Sequence, residues 1–499
     1  MNGFFAQSQA TRAECRELVS VGKNFTSSQD SKPMLAIKQD AMTGAYKLTY
    51  GRVPVKKSVF MDAFCHPEFS IEKYFHKREH VLKVYEGLGW LSEDRLQSTK
   101  LTELRAKAAA SDAEPAAQGW ADMTDEDDDV YLQIQAELQR LREAREDELV
   151  YCGHTMFSFL LPDDFEYYLD NQISPVMNDK GKPEPVHITQ GVLISGTLNK
   201  AAMGSASASL IHHLWKDYGE TEACWFVSMY QQLINFWFQH HGFSVGLEDC
   251  IPHSTELIKG EMQKWFIKAH AFLSSEPDPE LKEMKIIHEL NKAATLGQKH
   301  AKQALKPTNN LVSMIRSGAK GDWLNITQVT GLVGQQNVSA QRIAKTVGNR
   351  CLPHYKKQGK LISDPDSLEE DASVEDITKL FQSRGFVTSC FYYGLTPQEF
   401  FFHAAGGREG LIDTGIKTAD TGYSQRKLTK MMEDFRASYS GCITNSINNV
   451  IQFDYGGDNM DASHLINASG DSGEKMFSCI NVAHVVERLN VQFEKSCAL

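Results

Sequence analysis

The segment Thr396-Pro397-Gln398-Glu399 constrains the fold more than any other part of the chain. A threonine followed three residues later by glutamate is typical of a capping box, and proline at the first helical position favours the same helix start. No strong breaker follows Pro397 until Ser440-Gly441. The sequence therefore predicts a helix of about 40 residues, or roughly 60 Å. Such a length is unusual in a globular protein.

The predicted helix carries small residues on one face. Each internal glycine costs about 1 kcal/mol relative to alanine, and the helix contains Gly406, Gly407, Gly410, Gly415 and Gly422. A spacing of i, i+3, i+4 and i+7 places four small residues on one flat face, namely Gly415, Thr418, Ala419 and Gly422. Two interpretations remain open. The face could pack closely against another helix, or a nucleobase could approach it while the flanking Lys417, Arg426 and Lys427 attract phosphates.

Most of the remaining chain has helical periodicity. Apolar residues recur at helical spacing over 209–242 and 257–273, and a proline-containing break before 281–304 predicts a helical hairpin. Short apolar runs at Met156–Leu161 and Gly191–Ile194 are typical of strands and predict one β-rich module within 151–202. The fold class expected is mixed α+β, predominantly α.

Charge is distributed unevenly along the 499 residues. The net charge of -12 argues against a free-standing nucleic-acid binder, which normally has a dominant basic patch. Residues 301–360, however, contain ten Lys or Arg residues and a single acid, Asp322, so polyanions are expected there. Residues 101–150 are predicted to be an acidic insertion, with an exposed helix near 131–149 that is either solvated or binds a partner.

The cysteine pattern and the N-terminus narrow the class of protein. None of the ten cysteines forms a C-x-x-C pair, so no zinc site is expected. Residues 1–20 lack a secretory signal and no apolar run is long enough for a bilayer. A soluble intracellular protein without a membrane partner is expected.

Several stretches together resemble one protein family. Gly394–His403, Gly406–Thr414 and Lys417–Tyr423 are similar to the bridge helix of the largest subunit of multisubunit DNA-directed RNA polymerases. Segments at 317–321, 325–328 and 334–337 are similar to the part that precedes that helix, and shorter matches at 12–15 and 235–244 agree in order. The chain is identified as the central piece of that subunit.

This resemblance implies a division of the chain. Residues 1–100 correspond to the start of the pore region after the magnesium loop, 101–150 to the acidic insertion, and 151–250 to the pore domain with its β-rich module. Residues 251–395 correspond to the funnel, 396–440 to the bridge helix, and 441–499 to the start of the cleft domain and a tail.

The resemblance also implies roles for individual residues. Lys320 falls where the family places a lysine near the phosphates of the incoming nucleoside triphosphate, and Thr418 and Ala419 fall where the bridge helix abuts the template base pair. Neighbouring template positions are Gly415, Lys417, Gly422 and Tyr423. Funnel support or inhibitor contact is implied for Gln335, Gln336, His403 and Glu409. The relatives commonly have alanine and glutamate at positions 415 and 420, where this chain has Gly415 and Asp420.

The family's catalytic Mg²⁺ is held by three aspartates of an Asp-Phe-Asp-Gly-Asp motif that this sequence lacks, so no catalytic residue is expected here. The motif ends in Met-Asn, and this chain opens with Met1-Asn2. A split subunit, as in a large DNA virus or an archaeon, is therefore expected, with Mg²⁺ bound only at the assembled site. Expected partners are a magnesium-loop chain, the second largest subunit and a trigger-loop and clamp chain.

The function expected from the resemblance is that of a nucleotidyltransferase component. With DNA template, RNA transcript and the four ribonucleoside triphosphates, the assembly would transcribe DNA into RNA. If the source is viral, this would take place in the host nucleus or cytoplasm, and the virion is a further expected location. The alternative is a non-catalytic relic or decoy that keeps polymerase-like surfaces.

Overall fold

A computed structural model describes residues 3–29, 31–65, 69–91, 145–170, 182–252, 255–275, 278–306, 308–346, 351–353, 355–357, 360–361, 373–457, 459–469 and 475–478, with positions 486, 489, 490 and 493. The chain forms two compact units. The first comprises residues 1–243, 316–319 and 461–499, and the second comprises 244–315 and 320–460. Most of the predicted acidic insertion, residues 101–144, lies outside the described residues, whereas 145–150 is helical.

The first unit combines helices with short antiparallel strands. Its helices are α1 (Gln9–Glu17), α2 (Gln39–Leu48), α3 (Lys57–Ala63), α4 (Ile71–Gly87), α5 (Gly153–Ser158), α6 (Lys200–Met203) and α7 (Leu210–His241). Its strands are β1 (Thr26–Ser27), β2 (Lys32–Pro33), β3 (Tyr167–Leu169), β4 (Val186–Thr189), β5 (Val192–Ser195), β15 (Ile466–Ser469) and β16 (Lys475–Ser478). Strands β3, β4 and β5 form one sheet in that order.

Helix α7 confirms the helical periodicity predicted over 209–242. Ser209 caps it by accepting a hydrogen bond from the backbone N–H of His212. The apolar face is buried in the core of the first unit, and there the helix lies against α2 so closely that a Cβ at Gly44 would be 2.2 Å from Ile234 Cγ2. A kink at Gly219, with φ of 88°, was not predicted, because only glycine adopts that conformation readily and isolated glycines also occur in straight helices.

One strand prediction is wrong and one is confirmed. The run Met156–Leu161 is not a strand, because α5 occupies Gly153–Ser158 and all of its residues are buried. A short apolar run that is buried on every side has no periodicity that separates a helix from a strand. The run Gly191–Ile194 does overlap strand β5, which pairs antiparallel with β4.

The second unit is built around the predicted helical hairpin. Helices α8 (Thr255–Ser275) and α9 (Pro279–Ala304) form it, and Asp278 caps the second helix. The hairpin packs on α12 (Val374–Ser383) through a buried cluster that includes Phe266, Phe381 and Phe386. Smaller elements are α10 (Asn310–Ser317), α11 (Trp323–Thr330), β6 (Gly334–Gln335), β7 (Asn337–Val338), β8 (Gln341–Arg342), β9 (Lys356–Lys357), β10 (Lys360–Leu361) and β11 (Phe386–Val387).

The long helix α13 (Pro397–Met432) has 36 residues, and its capping box is present as predicted. It ends earlier than the predicted limit near 440. The chain turns after Met432 and forms β12 (Arg436–Ala437), β13 (Ile443–Thr444) and β14 (Val450–Gln452), which pair in that order. Arg436 pairs with Thr444, so the predicted breaker Ser440-Gly441 lies in the turn between β12 and β13, and the helix ends before it. No helix in the described part of the chain is long and apolar enough to cross a membrane.

Candidate functional site

The start of helix α13 is fixed by the buried carboxylate of Glu399. Its Oε1 accepts hydrogen bonds from Thr388 N (2.9 Å), Thr388 Oγ1 (3.1 Å) and Ser389 N (3.2 Å), and its Oε2 accepts from Thr396 N (3.1 Å) and Thr396 Oγ1 (3.0 Å). Burial alone would raise the pKa of Glu399, but these hydrogen bonds outweigh it and hold the pKa below its ordinary value. One side chain therefore ties the helix to the segment that follows β11.

The next two turns of the helix rest on the hairpin formed by β7 and β8. The turn residues Ser339 and Ala340 have φ of 53° and 61°, as a two-residue hairpin turn requires. The backbone N–H of Ser339 donates to both carboxylate oxygens of Glu409, at 2.7 and 2.9 Å. His403 Nδ1 lies 3.1 Å from Gln336 Oε1. The structure thus brings together three of the four predicted support residues.

Position 406 faces the hairpin at ordinary van der Waals distance. A Cβ there would lie 3.5 Å from both Asn337 O and Gln336 Oε1, so even alanine would be in van der Waals contact with the hairpin. The fourth predicted support residue, Gln335, is oriented differently. Its Nε2 donates to the carbonyl oxygens of Gln336 (2.8 Å) and Arg384 (3.0 Å). Gln335 thereby fixes the loop rather than the helix.

The hairpin is anchored to helix α9 by an ion pair that the sequence analysis missed. The guanidinium of Arg342, whose side chain is 5% exposed, donates through Nε and Nη2 to the two oxygens of Glu283, each at 2.6 Å. Burial would raise the pKa of Glu283, but Arg342 and Arg384 lower it overall. Because Arg342 is already paired with Glu283, it does not contribute to the polyanion binding that was expected of the basic stretch 301–360.

The rest of helix α13 is exposed from Gly410 to Met432. A Cβ built at Gly407, Gly410, Gly415 or Gly422 would meet no atom within 4 Å. Within the described ranges no helix packs on the small-residue face. Large apolar side chains on the same stretch are also exposed, among them Leu411 (70%) and Met431 (72%).

The predicted template-contact residues lie on this exposed stretch. Thr418 Oγ1 donates to the carbonyl oxygen of Thr414 (2.7 Å), so its methyl group and the Ala419 side chain remain at the surface. Lys417 forms an ion pair with Asp413 one turn earlier. The ammonium of Lys427 lies 4.3 Å from the centre of the Tyr423 ring. Lys417, Tyr423 and Lys427 are all exposed on this stretch.

Lys320 lies in a different part of the second unit. It is exposed, between Gly318 and Gly321, both with φ of 76°. Asp322 follows and caps helix α11 by accepting from the N–H of Asn325 (3.0 Å). Lys320 has no ion pair within the described part of the chain, and no described contact joins it to α13. Its ammonium is free to bind an anion.

The described residues do not meet the requirements of a metal site. No group of three or more His, Cys, Asp or Glu side chains there is placed to hold a metal ion. The described residues therefore do not fit the catalytic Mg²⁺ that the resemblance implies.

Comparisons with known proteins cover most of the chain. Residues 24–250 match the family model for RNA polymerase Rpb1, domain 3; residues 274–387 match domain 4; and residues 394–492 match domain 5. The chain is 29% identical over 516 residues to a probable DNA-directed RNA polymerase II subunit RPB1 homolog of Invertebrate iridescent virus 6, covering 99% of this chain and 42% of that protein.

Two similar proteins come from Trypanosoma brucei brucei. Its DNA-directed RNA polymerase II subunits RPB1-A and RPB1-B are each 31% identical over 478 residues, covering 93% of this chain and 22% of theirs. The chain therefore spans less than half the length of these curated relatives.

Proposed function

Because the chain belongs to the family of RNA polymerase largest subunits, with matches to Rpb1 domains 3, 4 and 5, we propose that it supplies the pore, funnel and bridge helix of a DNA-dependent RNA polymerase. The reaction is the template-directed extension of RNA from the four ribonucleoside triphosphates, a nucleotidyl transfer. Helix α13 is the bridge helix of this proposal, and helices α8 and α9 belong to the funnel.

The observation that carries the proposal is the exposed small-residue face of helix α13. Glycines at 415 and 422 each cost about 1 kcal/mol of helix stability, yet no described atom lies close enough to require them. A ligand outside the described residues that approaches the helix backbone would require them. A base pair is flat and carries phosphates at its edges, which matches a flat helix face with lysines and arginine beside it.

Each proposed site residue then has a physical role. Thr418 and Ala419 contact the template base pair, Gly415 and Gly422 let it approach, and Lys417 and Tyr423 border it. Further along the helix, Arg426 and Lys427 add positive charge. A pair of bound phosphates would compete with Asp413 for Lys417, because the two residues are exposed and their ion pair is weak in water.

Lys320 is proposed to bind the phosphates of the incoming nucleoside triphosphate. Its exposed ammonium, with no ion pair among the described residues, would offset the triphosphate charge and orient the nucleotide for in-line attack. Gln336, His403 and Glu409 position the first part of the helix through the contacts measured above, and Gln335 fixes the loop beneath it. None of these four residues takes part in the chemistry.

The proposed partners are other polymerase polypeptides with DNA, RNA and nucleotides. They include the part that carries the magnesium loop, the second largest subunit, and the trigger loop and clamp. The catalytic Mg²⁺ belongs to the assembled site. We propose a viral source, since the relatives include a viral one, and the enzyme would then act in the infected cell.

The test is an elongation assay on the assembled enzyme. Thr418→Leu should slow elongation by at least about tenfold, because a misplaced reactant costs up to two orders of magnitude in rate. Ser424→Leu is the matched control, since that exposed residue lies about 120° around the helix. The complex should stay intact in both variants. Equal elongation rates in the two variants would refute the template contact.

A further inference from the structure

A cavity of about 510 Å³ lies within the first unit, and the proposed polymerase role makes no use of it. Its size is within the usual range for small-molecule sites. Residues that line it include Arg52, Trp90, Arg145, His154 and Glu184, and residues 194–197 form another wall. Arginine, histidine and aromatic groups in one cavity are typical of sites that bind small polar ligands.

The guanidinium of Arg52 is held in one orientation. Its Cζ lies 4.1 Å from the centre of the Trp90 ring and 5.9 Å from that of Tyr85, and its Nη2 donates to the carbonyl oxygen of Ile194 at 3.0 Å. Stacking and one hydrogen bond leave the other N–H groups of the fork able to donate. A fork that is already ordered loses less entropy when it binds an oxyanion.

His154 contributes a hydrogen-bond acceptor, whereas Arg52 contributes donors. It is 3% exposed, and its Nε2 lies 3.1 Å from the carbonyl oxygen of Gly196, which can only accept, so Nε2 carries the proton. Burial, with a smaller contribution from Arg52, lowers the pKa of His154 to about 3, so the ring is neutral near pH 7. Its Nδ1 is therefore an acceptor, and it is buried with no hydrogen-bond partner among the described residues.

Such an unpaired buried acceptor is uncommon, because buried polar atoms nearly always have a partner. The carbonyl that fixes the ring is itself fixed. Gly196 has φ of 91°, and a Cβ there would lie 2.5 Å from Pro185 O, so only glycine fits this wall. The orientation of the histidine is thus set by the backbone.

The charges around the cavity limit the ligand. Arg145 forms an ion pair with Glu148 at 2.8 Å, and Glu184 also lines the wall. A highly charged polyanion would be repelled by these carboxylates, whereas a small anion could bind the two arginines. A ligand that also donates a hydrogen bond would satisfy Nδ1 of His154.

We propose that this cavity binds a small oxyanion that carries its own O–H group, of the hydrogen-phosphate class, with Arg52 and Arg145 binding the anionic oxygens and Nδ1 of His154 accepting the O–H. Inorganic phosphate and a phosphate monoester share this chemistry. Sulfate has the same shape and negative charge but no O–H near neutral pH, so it distinguishes the histidine contact from simple charge attraction.

The experiment is isothermal titration calorimetry of the full 499-residue chain with inorganic phosphate, glycerol 3-phosphate and sulfate near pH 6.5. Phosphate should bind with one site per chain and at least about tenfold more tightly than sulfate, the value of one hydrogen bond to a charged group. Arg52→Gln should weaken phosphate binding by at least about tenfold. Arg16→Gln, an exposed arginine on α1, should not change it.

The sulfate comparison needs no variant, so it tests the proposal even if a substitution in the cavity impairs folding. Tighter binding of glycerol 3-phosphate would identify a monoester as the ligand, and tighter binding of phosphate would identify the free ion; both support the site. No measurable binding of either phosphate compound, equal affinity for sulfate and phosphate, or an unchanged affinity in a folded Arg52→Gln chain would each overturn it.

Discussion

Replacing Glu399 by alanine should loosen the first turns of helix α13. The substitution leaves three backbone N–H groups without their acceptor, those of Thr388, Ser389 and Thr396, whereas the two hydroxyls can rotate to other partners. An unsatisfied buried donor costs about 1–3 kcal/mol. Because the space left by the side chain admits water, we use about 1 kcal/mol for each, and the lost carboxylate at the helix N-terminus adds about 0.5 kcal/mol.

The total of about 3–4 kcal/mol corresponds to an increase of at least roughly 100-fold in the opening equilibrium, since 1.4 kcal/mol is tenfold. Hydrogen exchange measured by mass spectrometry on the full-length chain can detect it. The amides of Phe400, Phe401 and Phe402 should exchange faster by that factor, because the N–H of Phe400 bonds to Thr396 O at 2.8 Å in the capped turn.

The matched control is Glu433→Ala at the other end of the same helix. Glu433 is exposed and pairs with Lys430 at 2.8 Å, a surface ion pair worth at most about 1 kcal/mol. Its removal should leave the exchange of residues 400–402 unchanged. If Glu399→Ala changes that exchange by less than threefold, the cap is not what holds the helix start, and the reasoning fails.

Three further predictions concern the same unit. The pKa of Glu399 lies below its ordinary value of 4.5. The cap should therefore be fully stable above pH 4.5 and weaken as the pH falls through the lower folded-state pKa. Hydrogen exchange of residues 400–402, corrected for its intrinsic pH dependence, should show no change between pH 7 and 5 and a loss of protection below 4.5. Gly410→Ala, where a Cβ meets nothing within 4 Å, should stabilise the helix by about 1 kcal/mol and slow exchange around position 410 about fivefold; faster exchange there would contradict the observed helical conformation. Arg342→Ala removes the fork from Glu283, which keeps only Arg384 at 3.6 Å, and should destabilise the β7–β8 hairpin by about 1–2 kcal/mol. The change should appear as faster limited proteolysis near residue 340. Lys306→Ala, which breaks the exposed pair with Glu248, should leave the digestion pattern unchanged.

The sequence predicted best what depends on neighbouring residues. The capping box at Thr396 and Glu399 is a local pattern, and the structure has it. The helical hairpin 255–304 was likewise predicted from periodicity and a proline break. The end of helix α13 was not, because the predicted breaker Ser440-Gly441 forms the turn between β12 and β13, and no glycine or proline follows Met432, where the helix ends, before that turn.

Contacts between distant residues explain the rest. The predicted strand at 156–161 instead begins inside the buried helix α5, which ends at Ser158, because its surroundings, not its periodicity, decide its form. The fork between Arg342 and Glu283 joins residues 59 positions apart, and nothing in the basic stretch indicated that one of its arginines would be buried. The cavity around Arg52 and His154 also escaped prediction, because its walls come from four separate parts of the chain.

The interpretation of the small-residue face of helix α13 came from the family resemblance, not from periodicity. The small-residue face alone was compatible with helix packing and with base-pair contact. The resemblance of the surrounding sequence motifs to the polymerase bridge helix favoured base-pair contact. The structure adds that the face is exposed and that no described atom requires its glycines. The assignments of Lys320, Thr418 and Ala419 remain proposals, since their ligands would come from outside the described residues.

The most direct test of the proposed function is affinity purification of the tagged chain from its native cells, followed by mass spectrometry and an assay of template-dependent RNA synthesis on the eluate. We predict recovery with a second largest polymerase subunit and a polypeptide that carries the magnesium-loop aspartates, together with RNA synthesis that requires DNA and all four ribonucleoside triphosphates. Recovery of the chain without polymerase subunits and without RNA synthesis would contradict the proposal and favour a relic or decoy.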